Sequence, residues 1–106
     1  ATAAVMNPPN LSILCVDNGH YGETGFQQSH TSLGVDLAQM AMGAGIVTTR
    51  TVQRADEIAD GARALREANG TSFVLLRIAP TEPASCKRDM NADACRIRFR
   101  QHLGIA

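Results

Sequence analysis

Tryptophan is absent from this 106-residue chain, tyrosine occurs once and phenylalanine three times. A core with so few rings cannot rest on aromatic packing. The many small residues suit helices lying close against a sheet, as in layered α/β proteins. Excess charge is missing too: ten basic and ten acidic side chains cancel, so nothing favours nucleic acid or an anionic membrane as partner. No apolar stretch approaches the ~20 residues that span a bilayer, and no signal-peptide pattern is visible. The three cysteines are an odd number. Cys86 and Cys95 have neither CxxC spacing nor nearby histidines, which argues against zinc. A disulfide between them is not expected, and the chain reads as cytoplasmic.

What is present is an alternation of short apolar runs and helical patterns. Ala1 to Met6 has helical composition, and the segment ends at Asn7-Pro8-Pro9 because a residue before proline is driven out of the helical region. The chain therefore reads as beginning inside a helix, which fits a cut at least as well as a true start. Leu11 to Val16 is a nearly continuous apolar run, expected as a strand buried on both faces of a parallel sheet. Cys15 within it is expected as a buried free thiol. Asp17 to Leu33 follows as a long polar loop with Asn18, Gly19, Gly22 and Gly25 near its start. Structureless loops of that length are uncommon in small domains and are often functional.

Asp36 and Gln39 form a capping-box pair. The helix behind them is expected to bury Leu37, Ala38, Met40 and Ala41, with Met42 also packed, and to stop near Gly43-Ala44-Gly45. Ile46 to Arg50 reads as a short strand. Gln53 to Ala68 reads as a helix with Ala55, Ile58, Ala59, Ala62 and Leu65 on one face. Ser72 to Ala79, ended by Pro80, is the strongest strand. Arg77 is unusual in a buried strand, and is expected near its exposed end or beside an acid. A tail over 80–106 closes with a short helix from Asp93 to Leu103. Lys87-Arg88 and the alternating Arg96, Arg98 and Arg100 are expected on a solvated face. Strand, helix, strand, helix, strand implies right-handed crossovers and parallel pairing. The fold class is α/β: an incomplete three-layer sandwich with a parallel sheet, forming a single partial domain over 1–106.

In open parallel sheets, ligands bind outside the carboxyl ends of strands, where the Asp17–Gly25 loop lies. A short amide, close-approach glycines and outward carbonyls suit a hard cation that shares oxygen ligands with phosphates. A buried strand followed by Asp17-Asn18-Gly19-His20-Tyr21-Gly22 resembles the second half of the thiamine diphosphate motif, which opens with Gly-Asp-Gly and ends some thirty residues later in an Asn-Asn-type pair. The longer string through Glu23-Thr24-Gly25 is similar to the phosphonopyruvate and sulfopyruvate decarboxylases. So are Ser29-His30-Thr31, Gly34-Val35-Asp36-Leu37-Ala38 and the ending Arg96-Ile97-Arg98-Phe99-Arg100.

That resemblance implies thiamine diphosphate and Mg²⁺ as cofactors and a short anionic 2-oxo acid as substrate. It implies an Asn18 side-chain oxygen and the His20 backbone carbonyl on the metal. Asp17, Asn18, Gly19, His20, Tyr21, Gly22 and Glu23 would lie beside the diphosphate, with Asp17 replacing the first Asn of the commoner pair. Tyr21 is expected as packing, and His20 as acting through its backbone. No catalytic residue is assigned outright; His30 and Glu23 are the candidates, Glu23 as a group near the mouth of the site. The hydroxyls of Ser29, Thr31 and Ser32 around His30 could hold an anionic substrate group.

Two departures qualify the likeness: no Gly-Asp-Gly precedes Asp17, and the pyrimidine-binding domain the family needs does not fit in this length. The resemblance implies a partner domain or subunit and a homo- or hetero-oligomer with an apolar contact surface. An acetolactate synthase-like fragment, or a non-catalytic fragment or small subunit, are the alternatives.

Overall fold

A computed structural model describes residues 1–81 and 89–105. Its elements in order are α1 (Thr2–Met6), β1 (Ser12–Asp17), β2 (His20–Tyr21), β3 (Gln27–Gln28), α2 (Leu37–Gly43), β4 (Thr48–Val52), α3 (Ile58–Glu67), β5 (Ser72–Arg77) and α4 (Ala92–His102). The sheet that carries the fold has the order β1-β5-β4, all parallel. The expected α/β arrangement is what forms.

The connection from β1 to β4 passes over β5, and the one from β4 to β5 returns. Two right-handed crossovers running in opposite directions put their helices on opposite faces. Packing agrees. Gly61 of α3 rests on Val52 and Val74, so α3 covers the face bearing Leu14, Val52, Val74 and Leu76. Leu75 points the other way, is 0% exposed, and lies under α2, which packs on β4 and β5. An ideal Cβ on Gly61 would come 2.7 Å from Val52 Cγ2. The close approach of α3 to the sheet therefore needs a residue without a side chain there.

Several boundaries move. The last strand stops at Arg77, before Ala79. The middle strand occupies Thr48–Val52 instead of Ile46–Arg50: Ile46 is buried ahead of it, while Val47 is 95% exposed. The third helix starts at Ile58 because Gln53 to Glu57 is taken up by a 3-10 turn at Ala55–Glu57. Its buried position is Gly61, so Ala55, Ile58 and Ala59 of the expected face are exposed, and only Ala62 and Leu65 are half-buried.

In α2 the Asp36 carboxylate accepts from Ala38 N at 2.9 Å and Gln39 N at 3.0 Å, which satisfies two of the helix's orphan donors. Ala38 and Ala41 are buried and Leu37 is half-buried, but Met40 and Met42 are exposed. The helix packs mainly on β4 and β5, and the two methionines lie on its exposed side.

The first strand departs most. It was expected to be buried on both faces, yet β1 is an edge strand. Leu14 and Val16 are 52% and 56% exposed, and Cys15, a free thiol, is only half-buried. The central strand is β5. Asn7 caps α1 in the left-handed region (φ 39°), and its Oδ1 accepts from Thr71 N at 2.8 Å, tying the amino terminus to β5.

The closing helix is present as α4, with Arg96, Arg98 and Arg100 exposed and no residue buried. Cys95 carries a free thiol; Cys86 and the Lys87-Arg88 pair lie outside the described residues. The radius of gyration is 16.4 Å, against about 13 Å for a compact domain of this length. No helix among the described residues is long and apolar enough to cross a membrane.

Candidate functional site

The segment from Asp17 to Leu33 is not structureless. It folds back as a hairpin, with His20 opposite Gln28 and Tyr21 opposite Gln27, followed by a 3-10 turn at His30–Leu33. Asp17 is the staple at its base. Its Oδ1 accepts from Gly19 N at 2.8 Å and from Thr31 Oγ1 at 2.7 Å. Thr31 Oγ1 also shares a 2.7 Å hydrogen bond with Ser29 Oγ. The Gly19 carbonyl accepts from Ser29 N and from the Ser32 hydroxyl. Gly19 has φ 71°, and an ideal Cβ would sit 2.5 Å from Ser32 Oγ, so two constraints favour glycine there.

Asn18 forms a local Asx turn: its Oδ1 accepts from His20 N at 2.9 Å. The carbonyls of Gly19 and Tyr21 both point into the hairpin, accepting from Ser29 N and Phe26 N. Carbonyls alternate along an extended chain, so that of His20 points out of the hairpin. The N–H and C=O of one extended residue share a direction. His20 C=O and Asn18 Oδ1, to which His20 N–H donates, are therefore turned to the same side.

The histidine side chains are occupied. His20 stacks on Phe26 with ring centroids 4.6 Å apart, and its Nδ1 lies 3.1 Å from the Asn18 carbonyl. His30 Nδ1 faces Tyr21 Oη at 3.4 Å. The hydroxyls of Ser29, Thr31 and Ser32 do not gather round His30; they hold the base of the loop. Gly22 and Glu23 lie at the exposed hairpin tip.

A crevice of about 150 Å³ opens where β1 and β5 end, lined by Asp17, Asn18, Gly19, Thr31, Ser32, Arg77 and Ile78. It brings together three of the seven residues expected beside a diphosphate. His20, Tyr21, Gly22 and Glu23 leave it along the hairpin. Arg77 and Ile78 enter from β5, sixty residues away in the chain, and no spacing within the loop indicates them. The sequence singled out Arg77 only as an oddity in a strand. Below the crevice, burial and then the Asp17 charge push the Cys15 thiol up from its ordinary pKa, so it stays protonated at neutral pH. A larger groove of about 410 Å³ beside α3 and β4 is lined in part by Arg63 and Asp60, an exposed pair 3.2 Å apart, and is a solvated charged face.

The donors fit a hard cation in kind but not in number. Asn18 Oδ1 and the His20 carbonyl are neutral oxygens, and an octahedral ion needs six ligands and prefers some of them charged. Among the described residues no group of three or more His, Cys, Asp or Glu side chains could hold a metal.

Parallel strands with helices on both faces define an α/β domain, and its polar crevice lies at the carboxyl ends of the strands. Comparison with known proteins narrows this to similarity with part of a decarboxylase. Sulfopyruvate decarboxylase of Methanosarcina acetivorans is 28% identical over 98 residues, covering 92% of this chain and 25% of that protein. Sulfopyruvate decarboxylase subunit beta of Methanocaldococcus jannaschii is 39% identical over 51 residues, covering 48% of this chain and 27% of that protein. The chain thus spans about a quarter of the length of these relatives. No family model matches it, and no solved structure does.

Proposed function

We propose that this chain is a portion of a thiamine diphosphate- and Mg²⁺-dependent decarboxylase acting on a short 2-oxo acid with a second anionic group, of the sulfopyruvate or phosphonopyruvate type. The observation that carries this reading is the similarity to sulfopyruvate decarboxylase along 92% of the chain. Both relatives bear that name, which favours this branch over an acetolactate synthase-like one. Thiamine diphosphate, when bound, supplies the electron sink that lets carbon dioxide leave a 2-oxo acid.

This chain's own contribution is positional. Asn18 Oδ1 and the His20 carbonyl offer two oxygens to Mg²⁺ from one side of the β2–β3 hairpin. Asp17, fixed by Gly19 and Thr31, holds that hairpin at the end of β1. Gly19 lets the backbone run close to the diphosphate. Tyr21, Gly22 and Glu23 form the hairpin wall, with Glu23 and His30 at the outer mouth. The remaining metal ligands and the pyrimidine-binding surface come from elsewhere. A second reading, a small subunit that works only with a partner chain, is supported by the second relative being named a subunit beta.

Two neutral oxygens cannot hold Mg²⁺ and a multiply charged diphosphate against water. Calorimetry on the 106-residue chain is expected to show no micromolar binding of Mg-thiamine diphosphate, and such binding would overturn the half-anchor reading. The activity is tested on the complete reading frame that contains this segment, expressed with any pyrimidine-binding partner. Carbon dioxide release from sulfopyruvate or phosphonopyruvate should need both cofactors. Asn18→Ala should lower it by about a hundredfold or more, since even outer-shell partners of a metal cost 10–100-fold. Cofactor-independent release, or full activity in the variant, sinks the proposal.

A further inference from the structure

The crevice at the ends of β1 and β5 contains one cationic group, Arg77, for whose Nε the described residues provide no acceptor. Arg77 is the last residue of β5, and its partner across the sheet is Asp17. The Arg77 Nε is buried, and among the described residues no acceptor reaches it. No ion pair joins it to Asp17 or to any other described carboxylate. Three other donors of the crevice are engaged. The hydroxyl of Thr31 gives its proton to Asp17, that of Ser32 gives its proton to the Gly19 carbonyl, and Gly19 N donates to Asp17. A buried donor without an acceptor is rare in folded proteins and calls for an explanation such as a bound group; here it belongs to a residue that lines the crevice.

We propose that Arg77 is an oxyanion-binding residue, whose guanidinium receives a tetrahedral phosphoryl or sulfonyl group in the crevice between β1 and β5. Three features select that chemistry. The guanidinium presents paired donors in a fork that matches two oxygens of one such group. The volume, about 150 Å³, is below the ~300 Å³ at which sites for whole small-molecule ligands begin, so the crevice takes one group of a larger ligand. It also lies outside the carboxyl ends of parallel strands, where the sheet places its ligands. Asp17 limits the geometry, because its carboxylate confines an anion to the Arg77 side. The inference deepens the proposed function and rests on its reading of this end of the sheet as the ligand end. It does not depend on which ligand supplies the group: a cofactor's diphosphate, or the substrate's sulfonate or phosphonate.

The test follows the Arg77 Nε–Hε signal of the full chain by ¹⁵N NMR at low ionic strength, during titration with inorganic phosphate, pyrophosphate or sulfoacetate. A saturable shift with a Kd on the order of a millimolar is expected. Preference for pyrophosphate assigns the site to a diphosphate, and preference for sulfoacetate assigns it to a substrate. Followed through the Gly19 and Ile78 backbone amides of the same crevice, since neither variant keeps the Nε–Hε group, Arg77→Met should weaken binding by about tenfold or more, and Arg77→Lys should restore part of it. Should the Met variant fail to fold, Asp17→Asn keeps the guanidinium and is expected to bind the anion more tightly, because a repelling charge is gone. If none of the three anions gives a saturable shift while Asp17→Asn alone moves the Arg77 signal, Arg77 is only a partner of Asp17 and the proposal fails. Because no thiamine is needed, such a failure leaves the cofactor reading intact. A saturable anion site in a protein whose complete enzyme releases no carbon dioxide would do the reverse.

Discussion

Strands β1 and β5 look alike in sequence, Ser-Ile-Leu-Cys-Val-Asp and Ser-Phe-Val-Leu-Leu-Arg, yet they occupy opposite situations. In β5 a strand lies on each side and a helix over each face, and Val74 and Leu75 are 2% and 0% exposed. In β1 there is one neighbouring strand, and α3 reaches only part of one face, so Leu14 and Val16 stay about half exposed. The difference teaches that an apolar run states a capacity for burial, while neighbours decide whether it is used. An edge strand with apolar side chains is an unfinished surface, prone to pair with further chain.

The largest expected effect tests that contrast directly. Leu75→Ala should cost about 2–5 kcal/mol, the range for a fully buried leucine whose cavity cannot collapse. Leu14→Ala at the half-exposed edge should cost under about 1 kcal/mol. Urea unfolding of both variants decides. A Leu14 cost equal to that of Leu75 would break the comparison by showing β1 covered in solution, and sedimentation would then reveal association.

Next is Gly61→Ala, which sharpens the account of how α3 covers β5. The new methyl would overpack Val52 by about 1–3 kcal/mol, partly offset by about 1 kcal/mol of better helix propensity. The net loss should be up to about 2 kcal/mol, and it should shrink in a Val52→Ala background. An equal loss in both backgrounds would show that Val52 is not the obstacle.

The smallest effect concerns the start of α3. The Glu57 carboxylate accepts from Gln53 N at 2.8 Å and Arg54 N at 3.1 Å, and these bonds, that from Gln53 first, hold its pKa below the ordinary range. A group whose folded pKa is lowered stabilises the fold above its unfolded pKa, and loses that contribution as pH falls through the folded value. Glu57→Gln should therefore lower the melting temperature slightly at neutral pH, and the difference should vanish in acid. A difference that persists undiminished at low pH would remove the carboxylate from the explanation.

Much of the secondary structure could be read from local chemistry. The Asp36 cap, the break at Asn7-Pro8, the strong strand from Ser72 and the final helix each announce themselves within four or five residues. The misplaced elements have separate causes: β4 is an edge strand of threonines around an arginine, so apolar content points instead to Ile46 and Val47. The Gln53–Glu57 turn was absorbed into a helix because its residues suit both. The candidate site was half visible. Asp17, Asn18 and Gly19 line the crevice, but the hydroxyls expected around His30 are spent on holding the loop, because Asp17 and the Gly19 carbonyl lie nearer to them.

The chain's own chemistry settles which segments can be strands or helices and where the turns fall, because those preferences act between residues a few positions apart. That β5 is central, that β1 is left at an edge, and that Arg77 stands opposite Asp17 are outcomes of pairing between residues about sixty positions apart. No local preference encodes such a pairing. It follows from which apolar faces cover each other once the helices have crossed the sheet.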